Sequence, residues 1–197
     1  MEKLTKFARI LNVIMKVIFW VLFAGGCVLI VALIAIPFLP LELIGNFGTI
    51  DFGPVSFVLS PGYQIDTSGL KITLAVALVA GIVAIAAGCW QTAILRKALK
   101  PIAEGKPFVS EVSNALKQLA WATLISGIVI SAMGCLSEYL LASIYDISEL
   151  FLNDYIVGFS VDVDYSFNFI IPTIFLFLLH YIFKYGVELQ QQADDTI

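Results

Sequence analysis

ILRKALKPIAEGKPFVSEVSNALKQLAW, residues 94–121, holds five of the chain's eleven lysines and arginines. It separates two long apolar runs, and its reading decides the architecture. Of the 197 residues, 60% are hydrophobic and 13% charged, with a mean hydropathy of +0.96. A soluble domain carries about 25% charged residues, so this composition defines an integral membrane protein. The hydrocarbon core of a bilayer is about 30 Å thick and takes roughly 20 apolar residues of helix to cross. Four stretches reach or approach that length: 11–38, 72–95, 119–141 and 167–183.

The fourth stretch has only 17 residues. It is expected to extend toward Lys184 or to thin the bilayer around it. Lys16 is the one basic residue inside a proposed span, and its long stem near a helix end can snorkel to the headgroups. The first apolar run is too long for the core of a secretory signal, about 7 to 15 residues, so an uncleaved helix is expected there. Cys27, Cys89 and Cys135 each fall in a span, are odd in number and lack metal-ligand spacing, which makes them small apolar packing residues.

Basic residues in short loops are retained on the cytoplasmic side, so counting them orients the chain. Lys3, Lys6, Arg9 and Lys16 flank the start; Arg96, Lys97, Lys100, Lys106 and Lys117 fill the middle loop; Lys184 follows the fourth span. Only Lys71 falls on the other side. Ten against one places both termini and the 94–121 stretch in the cytoplasm. Trp90 and Trp121 then stand near the inner ends of the second and third spans, where an indole keeps its ring in the acyl region and its N–H wet.

The two outer segments, 39–71 and 142–166, are longer than minimal turns. In the first, Val55, Phe57 and Leu59 alternate at strand spacing; in the second, Val161 and Val163 alternate with Asp162 and Asp164. A small extracytoplasmic β cap built from both loops is expected, because an isolated two-stranded hairpin is marginal in water. The acidic residues Glu149, Asp154, Asp162 and Asp164 lack the spacing of a calcium loop and read as a solvated face.

Small residues form stripes on two spans: Ala77, Gly81, Ala84 and Gly88 on the second, and Thr123, Gly127, Ser131 and Cys135 on the third. Such stripes let backbones approach closely within the bundle, and the same geometry would serve a homo-oligomer seam. The middle of every span lacks ionisable groups, which a catalytic or transport centre in a membrane needs. Glu138 and His180 lie toward span ends and read as interfacial residues. No catalytic or nucleotide-binding fingerprint is present, and the lone histidine cannot build a multi-histidine metal site. The expectation is a chain that is not an enzyme and takes no metal and no cofactor. A small transporter or channel subunit is the alternative, although no internal repeat or interrupted helix pair marks a midplane site.

Within the opening stretch, Leu95, Leu99 and Ile102 recur at helical spacing, so the second helix is expected to run on into the cytoplasm and weaken at Pro101. Ser110 is expected to cap a new helix with Glu111 in its first turn. At these residues the chain resembles domain-of-unknown-function family 2975, the YoaS-like bacterial membrane proteins. The likeness rests on LRKALKPIAEGKPFVSEVSNALKQLAW and on the C-terminal FKYGVELQQQADDTI. Glu104, Gly105, Pro107 and Phe108 match the family's E-G-x-P-F turn, and Gly186 and Leu189 its closing G-x-x-L; Gln190 to Gln192 depart from the acidic residues common there.

The resemblance implies four spans, no established activity, and a regulatory role beside small helix-turn-helix regulators. The whole reading is an all-α membrane protein: a single domain over 1–197 with four transmembrane helices, both termini cytoplasmic, an extracytoplasmic β cap and a cytoplasmic loop over 96–118. It is placed in a bacterial inner membrane as a non-enzymatic regulatory or sensory component. Its partners are the lipid bilayer and a cytoplasmic regulator, with no direct nucleic-acid binding. The candidate interaction loop comprises Arg96, Lys97, Lys100, Glu104, Gly105, Lys106, Pro107 and Phe108.

Overall fold

A computed structural model of the protein describes residues 2–38, 49–52, 55–58, 67–144 and 167–194. Four long helices dominate: α1 (Glu2–Ala35), α2 (Thr67–Ala103), α3 (Ser110–Ile144) and α4 (Ile170–Asp194). All four are long and apolar enough to cross a membrane. The chain divides into two compact units, one of residues 1–28, 81–131 and 166–197, the other of 29–80 and 132–165.

Each helix overruns its expected span, for local reasons. α1 begins at Glu2 and gives way to a 3-10 turn, Ile36–Phe38, at Pro37, which has no N–H to continue the ladder. α2 carries 37 residues and is about 55 Å long, so roughly 25 Å of it exceeds a 30 Å hydrocarbon core. α3 starts at Ser110 itself, with the Val112 N–H donating to Val109 O (3.1 Å). Ser110 is thus the first helical residue and not the cap before it, while Glu111 sits in the first turn as expected.

The fourth helix departs most from expectation. It starts at Ile170, three residues late, where the Thr173 N–H and hydroxyl both donate to Phe169 O (3.2 and 2.7 Å). Pro172 is accommodated because the first turn needs no N–H there. The helix then runs past Lys184 through Glu188, Leu189, Gln190, Gln191 and Gln192, all good helix formers, to Asp194.

In the first unit, α4 lies antiparallel along the beginning of α3. Phe169 sits over Gly127, where an added Cβ would overlap its ring. Phe177 meets Trp121 edge-on at 5.7 Å, His180 reaches Ser113, and Phe183 and Gly186 meet Phe108. α4 therefore follows α3 from its first turn to Gly127, whereas α3 itself continues to Ile144. On the other side, Gly25 and Gly26 face Ile85, and Gly88 faces Leu22. Gly88 and Gly127 of the two stripes thus receive side chains from within the unit. Cys27, by contrast, is exposed and does not pack inside it.

The core of this unit is formed by the α2 end and the α3 start. Ile94, Ala98, Ala115, Leu119 and Ala122 form one buried cluster, with Leu95 and Leu176 packed against it. Three alanines among these five residues let the two helices approach closely.

In the second unit, strands β1 (Thr49–Phe52) and β2 (Val55–Val58) pair antiparallel, with Ile50 opposite Phe57 and Phe52 opposite Val55. The first outer segment thus makes its own hairpin. Leu59 and the acidic residues of 145–166 lie outside the described residues, and so does any pairing between the two outer loops.

Candidate functional site

The candidate loop is built on a helix terminator. Gly105 has φ 85°, a left-handed conformation that glycine adopts without strain. Its N–H donates to Ile102 O (3.1 Å), and the Lys106 N–H donates to Pro101 O (3.0 Å). These two bonds are the Schellman motif that satisfies the last carbonyls of a helix, and Pro107 follows where proline blocks further helix. The conspicuous Glu104-Gly105-Lys106-Pro107 run is accounted for by the need to end α2 and reverse the chain.

Phe108 carries the next step. Its ring stacks at a tilt on Phe183 (centroids 5.8 Å apart) and lies so close over Gly186 that an added Cβ would stand 2.6 Å from Phe108 Cδ1. Phe108 and Gly186, 78 positions apart in sequence, are therefore one contact. The turn is held against α4 by an aromatic ring that fits only because position 186 has no side chain.

One turn further along α3, Ser113 meets His180. The imidazole Nδ1 lies 2.8 Å from Ser113 O and 2.9 Å from Ser113 Oγ, and the Ser113 hydroxyl lies 3.4 Å from His180 O. A carbonyl only accepts, so Nδ1 carries the proton and donates to it. His180 is only 9% exposed, so it is a buried link between α3 and α4 and not the interfacial residue its sequence position suggested.

The charged residues of the loop divide into two groups. Arg96 Nε donates to Asn12 Oδ1 of α1 at 3.4 Å, and its half-buried side chain serves that helix contact. Lys97, Lys100, Glu104 and Lys106 are exposed and line a cleft of about 770 Å³, together with Glu111 and Gln118 on α3. Gly105, Pro107 and Phe108 shape the turn without lining that cleft. Among the described residues, no group of His, Cys, Asp or Glu is placed to hold a metal ion.

A polar stripe on α3 borders this cleft: Asn114 and Gln118 line it, and Lys117 and Trp121 line its neighbour. Asn114, Lys117, Gln118 and Trp121 fall three and four apart and are all exposed, a polar stripe ending in an indole. Their helical spacing is the sequence signal for this stripe, which the excess of lysine in the adjacent loop masks. Trp90 and Trp121, each half-exposed, line a second cleft of about 540 Å³ with Ile94, Asn114, Lys117 and Gln118.

No protein-family model, curated protein or solved structure matches this chain.

Proposed function

We propose that the protein is a non-enzymatic regulatory or sensory component of a bacterial inner membrane, with both termini and the 94–121 hairpin in the cytoplasm. The observation that carries this reading is the cleft of Lys97, Lys100 and Lys106 at the tip of a hairpin whose turn is fixed by the Gly105 cap and the Phe108–Gly186 contact. With Trp90 and Trp121 at the inner headgroup level, about 20 Å of α2 stands clear of the acyl region and presents that cleft to soluble proteins.

The likeness to the 2975 family points to a helix-turn-helix regulator as the cytoplasmic partner. On the opposite side, the β1–β2 hairpin belongs to an outer cap that meets an envelope signal. Affinity purification of the full chain from native membrane tests the partner: replacing Lys97, Lys100 and Lys106 together with Gln should remove a co-purifying protein, and unchanged co-purification would sink this reading.

A small transporter or channel subunit is the second reading. On its side stands a cavity of about 350 Å³ lined by Gln91, Thr92 and Thr123 among apolar residues of α2, α3 and α4. Against it, the Thr92 and Thr123 hydroxyls donate to Gly88 O and Leu119 O of their own helices, and Gln91 Nε2 donates to Ser126 Oγ at 2.7 Å. Polar groups satisfied in this way support packing better than passage. Solute or ion flux in reconstituted vesicles would reverse the preference.

A further inference from the structure

Three clefts on the surface of the first unit share one residue, Asn114. The Trp90–Trp121 cleft also shares Gln118 with the lysine cleft, so the two form a continuous groove along the α2–α3 seam. Its composition is graded. Trp90 stands fifteen positions before Gly105 and Trp121 sixteen after it, which puts the two indoles at one height on an antiparallel hairpin. By the same count, Ile94 is level with Lys117, and Lys97 with Asn114. From the indoles toward the turn, the walls change from aromatic and aliphatic to amide and ammonium.

We propose that this groove binds one anionic phospholipid, its phosphate held by Lys97, Lys117 and the amides of Asn114 and Gln118, the headgroup ends of its acyl chains laid against the half-exposed Trp90 and Trp121. A phosphate suits the donors: Lys97, Lys100, Lys106 and Lys117 outnumber Glu104 and Glu111 in the two clefts. Basic pockets between transmembrane helices on the cytoplasmic side are where anionic headgroups are held. A free anion would engage only the amide and ammonium end of the groove, whereas a phospholipid also reaches the indoles, a residue type enriched at headgroup level. Trp121 is already positioned by its edge-on contact with Phe177. The site rests on the cytoplasmic orientation proposed above but not on any protein partner.

The test uses the full chain with Trp20→Phe, which leaves Trp90 and Trp121 as the only fluorophores of the three tryptophans. It is reconstituted in phosphatidylcholine vesicles containing equal mole fractions of brominated phosphatidylcholine or brominated phosphatidylglycerol. Brominated phosphatidylglycerol should quench at least about twofold more strongly, given the attraction of lysines for anionic lipid. That excess should vanish in Lys97→Gln/Lys117→Gln, persist in Lys97→Arg/Lys117→Arg, and persist in Arg9→Gln/Lys16→Gln, which removes the same charge from exposed positions on α1.

Equal quenching by the two lipids in the parent would overturn the proposal, and so would an excess that survives Lys97→Gln/Lys117→Gln. Abolition of the excess by millimolar inorganic phosphate would assign the donors to a free anion, and abolition by polyglutamate would assign the groove to an acidic protein; either contradicts the lipid site. Co-purification of a protein partner is a separate readout, so the two proposals can fail independently.

Discussion

Replacing Gly186 with Ala examines the contact that joins the α2–α3 turn to α4. The new Cβ would lie 2.6, 2.9 and 3.5 Å from Phe108 Cδ1, Cε1 and Cγ, so the ring has to move. It can, being 43% exposed, but only by giving up its packing on Phe183. Overpacking of this kind costs roughly 1–3 kcal/mol, of which the lost aromatic pair accounts for about 0.5–1.5. Against that, Ala is better than Gly inside a helix by about 0.8–1.0 kcal/mol. The net change in the parent is then from about zero to 2 kcal/mol destabilising. In a Phe108→Ala background the ring is absent and only the propensity gain remains, so the same substitution should stabilise by about 1 kcal/mol. The expected coupling is about 1–3 kcal/mol, measurable as a double-mutant cycle by SDS-induced unfolding in mixed micelles followed by circular dichroism. Equal stabilisation by Gly186→Ala in both backgrounds would show that Phe108 does not rest on Gly186.

Gly105→Ala should destabilise the same hairpin by about 1–2 kcal/mol, because φ 85° is costly for an L side chain, and Gly105→Asn by less; the same unfolding assay orders the three. Ser126→Ala removes the acceptor of the 2.7 Å bond from Gln91 and should cost about 0.6–1.7 kcal/mol, the range for hydrogen bonds between membrane helices, in a cycle with Gln91→Ala. Ser113→Ala leaves the Nδ1–H···O=C bond of His180 in place and should cost about 1 kcal/mol or less, whereas His180→Ala empties a buried site and should cost about 2–4; equal losses would mean that the hydroxyl and not the carbonyl holds the ring.

Helix number and the position of the hairpin were legible because each rests on a property of one segment: apolar length, the Gly105-Lys106-Pro107 break, and the excess of lysine beside it. What escaped were properties of two segments at once. Nothing in the spacing around His180 shows that Ser113 will face it, since the pair is 67 positions apart and its register depends on how α4 lies on α3. The same holds for Phe108 and Gly186, 78 positions apart. The Glu104–Phe108 turn was conspicuous, and its geometry explains most of it as a helix ending; the groove beside it, walled by Asn114, Lys117, Gln118 and Trp121, was less conspicuous and carries more exposed donors. The chemistry of Ser110 suits a cap, yet α3 begins one residue earlier than a Ser110 cap would give. The apolar run of the fourth span ends at Lys184, while helix formation there follows propensity and continues in polar residues to Asp194.

The proposed orientation puts the basic hairpin in the cytoplasm and the β1–β2 hairpin on the far side of the membrane. Cysteine accessibility tests it in intact spheroplasts, using a chain in which Cys27, Cys89 and Cys135 are replaced by Ala and one new cysteine is placed at Lys106 or at Ser56. A membrane-impermeant maleimide added from outside should label Ser56→Cys and leave Lys106→Cys unlabelled until the membrane is permeabilised. Labelling of Lys106→Cys in intact spheroplasts would contradict the orientation, and with it the cytoplasmic docking surface and the inner-leaflet lipid groove.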